Sequence, residues 1–503
     1  MKETTSAGKS GVHFGNLIAC AEDEQLAQFE SSVSQIPFLT GYSPTLWKEG
    51  TIVMIKKKAG NADVSALRSI VLLEADYNFN NKILGKRAME QAEDLKAIAP
   101  EQYGSRKGEM AVNQALHKRL TYDIIPQHHL PAILCSNDAK SCYDRILHPI
   151  ASLAYRQIGV PLAPVKCMLE CIQEMKHNVR TGYGISDETF DTRDLEEKLQ
   201  GILQGNGAAP TTWVLISTPL LNLLRKKGYG RKFCSPISNE RTNLMGFAFV
   251  DVTDLILLDM IDGSVSFEEI ATQMQKAIEL WESGLKTTGG AIVPEKSWLY
   301  PIDFHGNSAN PQYLKAKDFD QEFNVKDHRE VTRTLTTVDP LVGKETLGVT
   351  LAPDGNNDDA VAMMKSKASA WKKNISLGQL QRDLAWHASQ STIMKSIEYP
   401  LAALTFSEEE CKKIMKPIKE ATLAKTSINK QYPLALLYGP KDEGGLGMND
   451  LFVTQGITHI QKFHQHHGWG TITDKLIRVS LETCILEVGI GRNLFELDYE
   501  KYE

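Results

Sequence analysis

The chain lacks several features that would assign it to whole classes of protein. It contains no run of about eighteen uncharged apolar residues, so no segment is expected to span a bilayer. Its eight cysteines are scattered without a Cys-x-x-Cys pair, which argues against a disulfide framework or a zinc ribbon. The first residues do not form a basic segment followed by an apolar run. We therefore expect an intracellular protein, in the nucleus or the cytoplasm, and no membrane partner.

The net charge lacks the positive sign that phosphate recognition usually requires. It is −6 at pH 7, whereas nucleic-acid-binding surfaces usually leave a basic excess. The charge is unevenly distributed, because residues 48–119 carry 13 Lys/Arg against 9 Asp/Glu and residues 361–430 carry 12 against 6. Basic runs are usually solvated helix faces, so charge alone leaves nucleic-acid binding open.

What is present is typical of a large globular protein. The 503 residues are 42% apolar and 23% charged, enough for roughly two to four domains or one large enzyme. Apolar patterns predict strands in "GTIVMIKKKAG" and "RSIVLL", then helices through "NNKILGKRAMEQAEDLKAI" and "MAVNQALHKRLTYDII". In the middle they predict a strand that ends at Asp138 and passes into a helix, a glycine-rich turn "QGNGAAP" that opens a helix, and a hairpin "GFAFVDVTDLILL". Another hairpin in "TLGVTLAPDG" precedes a mainly helical remainder.

Three of these features form a chemical site if they converge. Asp138 ends a strand, Asp251 lies at a hairpin tip, and Gln204-Gly205 precedes a helix. Carboxylates on adjacent strands can hold two divalent cations about 3.5–4 Å apart, an arrangement that catalyses phosphoryl or nucleotidyl transfer. Each feature alone has an ordinary explanation, since an aspartate at a strand end is more often a helix cap and one in a turn is common.

The motifs also resemble a known family. "NDAKSCYDRI" at 137–146, "QGNGAAP" at 204–210 and "FVDVTDLI" at 249–256 resemble motifs of retroelement reverse transcriptases, most closely a non-LTR-like retrotransposon group that has "QGNGAGP" and "FVDDTDLI". The resemblance covers most of the chain. It includes "SGVHFG", "WKEGTIVMIKKKAG", "LRSIVLLEADYNFNNKILGKR", "EQYGSRKG", "PEKS", "LGVTL" and "YGPKDEGGLGMNDL".

The resemblance implies an α+β right-hand polymerase that adds deoxynucleotides to a primer 3′-hydroxyl. Its partners would be an RNA or DNA template with primer and deoxynucleoside triphosphates, its cofactors two Mg²⁺ ions with Mn²⁺ as an alternative. The oligomeric state is left open, and no endonuclease, RNase H or integrase module is expected. The implied divisions are an N-terminal extension over 1–46, fingers over 47–130, a palm with an antiparallel sheet and the primer-grip hairpin over 131–360, and a helical thumb and tail over 361–503.

Catalytic roles follow from the resemblance residue by residue. Asp138 and Asp251 would be the catalytic carboxylates and metal ligands, with the backbone carbonyl of Ala139 as a further ligand. Lys296 in "PEKS" would protonate the departing pyrophosphate, although a turn lysine is usually only exposed. Asp144 is expected to cap or brace the helix that follows it rather than to bind metal.

Substrate-binding roles follow in the same way. Arg68 and the lysines at 56–58, Lys56 first, would reach the triphosphate, for which the planar arginine fork is well suited. Tyr143 would pack under the incoming sugar and exclude a ribose 2′-hydroxyl. Gln204 and Gly205 would line the template and nucleotide pocket, because glycine permits a close backbone approach. "TLGV" at 346–349 resembles the hairpin that grips the primer end.

The chain departs from the family at one position that matters for chemistry. Val252 stands where the family has a second aspartate, and the loss of one preorganised electrostatic group costs ~2–4 kcal/mol, a factor of ~10²–10³ in rate. Asp254 does not replace it, because it lies ~6–7 Å further along the strand. Smaller departures are Leu203 and Ala209 in place of glycines, and "SGVHFGN" in place of a more basic segment.

Three hypotheses follow. The first is an RNA-directed DNA polymerase, active or weakened by Val252. The second is a catalytically inactive, retroelement-derived protein that binds nucleic acid. The third is another two-metal enzyme such as a nuclease, which would need more carboxylates or histidines around Asp138 and Asp251. The histidines of "FHQHHGW" have no matching cysteine pair, so zinc is not expected there.

Overall fold

The computed structural model describes residues 5–57, 63–64, 67–191, 200–261, 264–305 and 312–491, and it is a mixed α/β structure. Helices form in most of the segments that have helical periodicity, including the predicted helical region after residue 361. Within the described ranges, no helix is both long enough and apolar enough to cross a bilayer. The helices are α1 (Phe14–Ala21), α2 (Glu24–Thr40), α3 (Ala75–Asp94), α4 (Ala111–Gln127), α5 (His148–Gln157), α6 (Leu162–Gln173), α7 (Ala209–Lys226), α8 (Phe267–Thr287), α9 (Asp358–Leu377), α10 (Arg382–Ala388), α11 (Lys395–Glu398), α12 (Glu408–Lys425), α13 (Leu434–Tyr438), α14 (Leu451–His466) and α15 (Ile472–Val488).

The strands include every strand that the apolar patterns predicted. They also include four strands between residues 176 and 244 and several short ones between residues 298 and 337 that the patterns did not predict. Both predicted hairpins are present. The strands are β1 (Glu49–Lys56), β2 (Leu67–Leu72), β3 (Ala132–Asp138), β4 (Lys176–Thr181), β5 (Gly184–Ile185), β6 (Arg231–Cys234), β7 (Arg241–Leu244), β8 (Gly246–Phe249), β9 (Val252–Asp259), β10 (Trp298–Ile302), β11 (Phe304–His305), β12 (Gln312–Tyr313), β13 (Asn324–Lys326), β14 (Thr332–Thr334), β15 (Thr336–Thr337), β16 (Lys344–Thr346) and β17 (Val349–Leu351).

The central sheet has the strand order β15-β10-β3-β9-β6-β7, and β8 also pairs with β9. Its middle is antiparallel as expected, whereas β10/β15 and β6/β9 are parallel. Alternate residues enter two different hydrophobic cores: Ile133 and Leu257 face one, Leu134 and Ile256 the other. Both faces are therefore buried, which explains the near-continuous apolar runs of β3 and β9.

A second sheet has the order β2-β1-β4-β5. β1 pairs antiparallel with β2 and parallel with β4, a strand that lies more than a hundred residues later in the chain. This sheet therefore contains strands from both the predicted fingers (47–130) and the predicted palm (131–360). The domain boundaries themselves remain predictions.

The segment after Asp138 differs from the expectation of a helix that starts directly after the strand. Ser141 adopts a left-handed conformation with φ +45°, and only a short 3-10 turn, Cys142–Arg145, precedes α5. A non-glycine residue at positive φ cannot continue a right-handed helix. The chain therefore makes a compact corner immediately beyond Asp138.

Candidate active site

The two predicted catalytic carboxylates lie at neighbouring ends of paired strands. The register of β3 against β9 places Asp138 opposite Val252, so Asp251 precedes that pair by one residue in the two-residue turn between β8 and β9. The side chain of Asp138 is 39% exposed, and Asp251 is exposed. The described residues contain no group of three or more His, Cys, Asp or Glu side chains that could hold a metal.

The carbonyl of Ala139 is directed to the side of β3 on which β9 lies. The Asp138 carbonyl accepts a hydrogen bond from the Val293 amide at 2.9 Å, and the Lys140 amide donates to the Ala291 carbonyl at 2.8 Å. Because backbone groups alternate between the two edges of an antiparallel strand, the intervening Ala139 carbonyl points away from residues 291–293. Two carboxylates and a carbonyl are hard oxygen donors of the kind that Mg²⁺ and Mn²⁺ prefer, and Val252 adds no ligand.

The turn that carries Asp251 has a strained backbone. Val250 has φ +53°, a left-handed conformation that costs an L-residue ~1–2 kcal/mol and is rare for a β-branched side chain. The Gln102 side chain accepts from the Val250 amide at 2.9 Å and donates to its carbonyl at 3.2 Å, and the Trp213 indole N–H donates to the same carbonyl. A Cβ atom at Gly104 would overlap the Val250 backbone.

These contacts identify residues that the sequence reasoning missed. Gln102 and Gly104 belong to "EQYGSRKG", a segment of the resemblance to which no role was assigned, and Trp213 lies in α7. A strained conformation persists only where the surrounding structure determines it, and such positions cluster at functional sites. The position of Asp251 is therefore fixed by side chains from two other parts of the chain.

Lys296 lies beside Asp138. Its Nζ is 3.3 Å from Asp138 Oδ2, and its side chain is 60% exposed. The neighbouring Ser297 hydroxyl accepts from the Asp138 amide at 3.2 Å and donates to the Val293 carbonyl at 2.9 Å. The structure thus brings Lys296 to the predicted site, while its role in protonating a leaving group remains a prediction.

Two side chains of the corner after β3 approach Asp251. Burial raises the pKa of the Cys142 thiol, and the nearby Asp251 carboxylate raises it further. Burial likewise raises the pKa of the Tyr143 phenol, with smaller contributions from Cys142 and Asp251. Both groups are therefore neutral at physiological pH. Tyr143 lies near Asp251, while its role in packing under the sugar remains a prediction, and Cys142 is an additional neighbour that the sequence did not indicate.

Asp144 braces the glycine-rich turn rather than the following helix, which corrects the expectation. Gln204 Nε2 donates to Asp144 Oδ2 at 3.0 Å. Burial raises the pKa of this carboxyl, while Gln204 and the charge of Lys57 oppose the rise. The Gln204 carbonyl in turn accepts from the Val71 amide at 2.9 Å, and Gly205, at φ +118°, approaches the Val71 carbonyl where a side chain would not fit. The turn is thereby joined to the edge of β2.

The substitution at position 203 carries a cost that the structure explains. Leu203 is buried and has φ +66°, a conformation in which glycine has no steric penalty. The glycine expected from the resemblance therefore matches the backbone, and leucine is strained there. Ala209, the other replaced glycine, lies in the first turn of α7, where alanine is favourable.

The predicted triphosphate-binding residues lie on β1 and β2. Arg68 is exposed and shares a face of β2 with Ile70, whose side chain approaches Gly205. The charge of Lys57 acts on the pKa of the Asp144 carboxyl, whereas Lys56 pairs with Leu67 and so points to the opposite face of the sheet from Arg68. Lys57 is therefore closer to the glycine-rich turn than Lys56, which the sequence had favoured as the triphosphate-binding lysine. Lys58 lies outside the described residues.

Many solved structures are similar to the chain, and two of them are structures of telomerase. No protein-family model and no curated protein matches the chain. Apo telomerase from Candida tropicalis, truncated from its C-terminal domain, is 14% identical with a TM-score of 0.36, over 57% of this chain and 55% of that one. A structure of apo telomerase from the same organism is 14% identical with a TM-score of 0.39, over 90% and 74%. The chain thus spans about half the length of the truncated telomerase.

Proposed function

We propose that the chain is a nucleotidyl transferase of the reverse-transcriptase type, which adds deoxynucleotides to a primer 3′-hydroxyl on an RNA or DNA template. The observation that carries the proposal is the juxtaposition of Asp138, at the end of β3, with the strained turn that bears Asp251. The sheet of β1, β2, β4 and β5 would form the fingers, the central sheet the palm, and the helices after residue 361 the thumb.

Asp138, Asp251 and the Ala139 carbonyl would hold divalent metal. When bound, Mg²⁺ or Mn²⁺ supplies activation of an attacking hydroxyl and stabilisation of a leaving phosphate oxygen. Two carboxylates suit the binding of cations, but Val252 leaves the site one carboxylate short of the family pattern. We therefore propose a polymerase whose chemistry is weakened while its cleft is retained.

The remaining side chains would act on the nucleotide. Arg68 and Lys57 provide positive charge beside the glycine-rich turn, where triphosphate oxygens would be neutralised. The neutral Tyr143 ring, next to Asp251, would bound the sugar. The Lys296 ammonium near Asp138 is a proton donor within reach of the reacting centre.

Primer extension on an RNA template tests the proposal. With Mg²⁺ or Mn²⁺, Val252→Asp should extend the primer ~10²–10³ times faster than the wild-type chain, because it restores a preorganised charge. Val252→Asn, which is similar in size to aspartate but uncharged, should increase the extension rate much less. Asp138→Asn should abolish the increase that Val252→Asp produces. Failure of a folded, primer-binding Val252→Asp variant would contradict the active-site assignment.

A catalytically inactive nucleic-acid-binding protein is the second candidate, and Val252 is the observation that favours it. It predicts that the wild-type chain binds a primer–template yet does not extend it in either metal. A nuclease has less support, because the described residues place no third carboxylate or histidine with Asp138 and Asp251.

A further inference from the structure

A buried ion pair lies beneath the turn that carries Asp251. Lys118 Nζ is 2.5 Å from Asp254 Oδ2, and the two side chains are 1% and 2% exposed. The same ammonium donates to Thr346 Oγ1 at 2.9 Å. Lys118 is on α4, Asp254 is on β9 three residues beyond Asp251, and Thr346 ends β16. One ammonium group thus joins the strand that follows the Asp251 turn to the hairpin at 344–351.

The surroundings hold this ammonium in place. It lies 5.7 Å from the ring centre of Phe247, the residue directly opposite Asp254 on β8, and 5.8 Å from that of Trp298 on β10. Burying two charges has a large desolvation cost, and apolar side chains of similar volume often stabilise a fold as well. Net stability is therefore a poor explanation for the pair. A charged group with two fixed acceptors instead specifies a distance and a direction between the elements that it joins.

The hairpin turn is held from its other side as well. Leu347 and Gly348 both have left-handed backbones, at φ +51° and +82°. The Tyr399 hydroxyl donates to the Leu347 carbonyl at 3.0 Å, and a Cβ atom on Gly348 would lie 3.3 Å from the Tyr399 ring. The turn therefore sits between Lys118, which ties it to the central sheet, and Tyr399, which ties it to the helical region.

We propose that Lys118, Asp254 and Tyr399 are positioning residues that fix the turn at 346–349 relative to Asp251. The inference rests on the proposed function, in which this turn grips the primer end. If it does, the contacts from Asp254 through Lys118 to Thr346 set where the primer 3′-hydroxyl lies with respect to the metal-bearing carboxylates. They also give a role to Asp254, which is too deeply buried to bind metal.

Thr346→Val tests the link, because it removes the hydroxyl with almost no change of volume and leaves the Lys118–Asp254 pair intact. Thr346→Ser restores the hydroxyl, and Thr350→Val makes the same change at a buried threonine on β17 of the same hairpin. In the Val252→Asp background, Thr346→Val should lower kcat for primer extension roughly tenfold, as expected for a small misplacement of a reacting group. KM for the nucleotide should stay constant, Thr346→Ser should recover kcat, and Thr350→Val should not lower it.

Equal kcat values for Thr346→Val and Thr350→Val would overturn the inference. A second measurement does not need activity: amide hydrogen exchange of residues 344–351 should be faster in Thr346→Val than in Thr350→Val, and equal exchange would also overturn the link. If the Val252→Asp protein does not polymerise at all, the proposed function fails, while the exchange comparison still decides whether Lys118 holds the hairpin.

Discussion

Gly104 provides a direct test of how the turn that carries Asp251 is held. Its φ is not in the left-handed region, so alanine can adopt the same backbone, and any effect of Gly104→Ala must come from the added methyl group. That methyl would overlap the backbone nitrogen and side chain of Val250. Either the segment at 101–104 or the turn must move by about 1 Å. Overpacking of this kind costs ~1–3 kcal/mol of stability, and a 1 Å displacement of a reacting group can cost ~10²-fold in rate.

The assay is primer extension in the Val252→Asp background, together with Mn²⁺ binding followed by electron paramagnetic resonance. Gly104→Ala should lower kcat ~10²-fold and weaken Mn²⁺ binding, because the Asp251 carboxylate is displaced from Asp138. Gly456→Ala is the matched control: Gly456 is on α14 with open space around it, so alanine there should raise stability by about 1 kcal/mol without affecting either readout. If Gly104→Ala matches its parent in both kcat and Mn²⁺ affinity, the turn is not held in the way that we describe.

Three further predictions concern strain, pH and charge. In urea denaturation, the Leu203→Gly variant should be more stable than the Leu203→Ala variant by about 1 kcal/mol, because only glycine relieves the left-handed strain at this position. Glycine is usually the less stable of the two, so a more stable alanine variant would contradict the prediction. Burial lowers the pKa of His117 well below its usual value, so below about pH 6.5 the unfolded chain binds a proton that the folded chain does not. The free energy of unfolding therefore falls as the pH falls. His117→Gln should reduce this dependence of the unfolding free energy on pH by up to about 1.4 kcal/mol per pH unit. Lys57→Ala should raise KM for the nucleotide several-fold more than Lys56→Ala, since only Lys57 lies near Asp144, and equal effects would place both lysines outside the pocket.

Much of the site follows from local patterns. Apolar runs with turn residues at their ends are enough to place Asp138 at the end of β3 and Asp251 at the tip of the β8/β9 hairpin, because strand formation and turn chemistry depend on neighbouring residues. The resemblance also named Lys296 and Tyr143, which the structure brings to the same place. Even the expected glycine at 203 matched a real requirement of the backbone.

Other parts of the site depend on which distant segments meet. Gln102 and Gly104 act on Val250 nearly 150 residues away, and Trp213 reaches the same group from a helix. The choice between Lys56 and Lys57 depends on the register of β1 against β2, since a shift of one residue reverses the face of every side chain. The short strands between 298 and 337 have too few residues to produce a periodic pattern.

By itself, then, the sequence determined the strands and turns next to the site and the carboxylates at the end of β3 and at the hairpin tip, which are set by residues close together in the chain. The resemblance added that Val252 stands where the family has a second aspartate. Only the tertiary structure decided that Val250 is strained, that Asp144 supports the glycine-rich turn, and that Asp254 is neutralised by Lys118 instead of facing metal. These depend on long-range packing, in which the burial of a charge or the overlap of one methyl group is determined by residues that no local pattern connects.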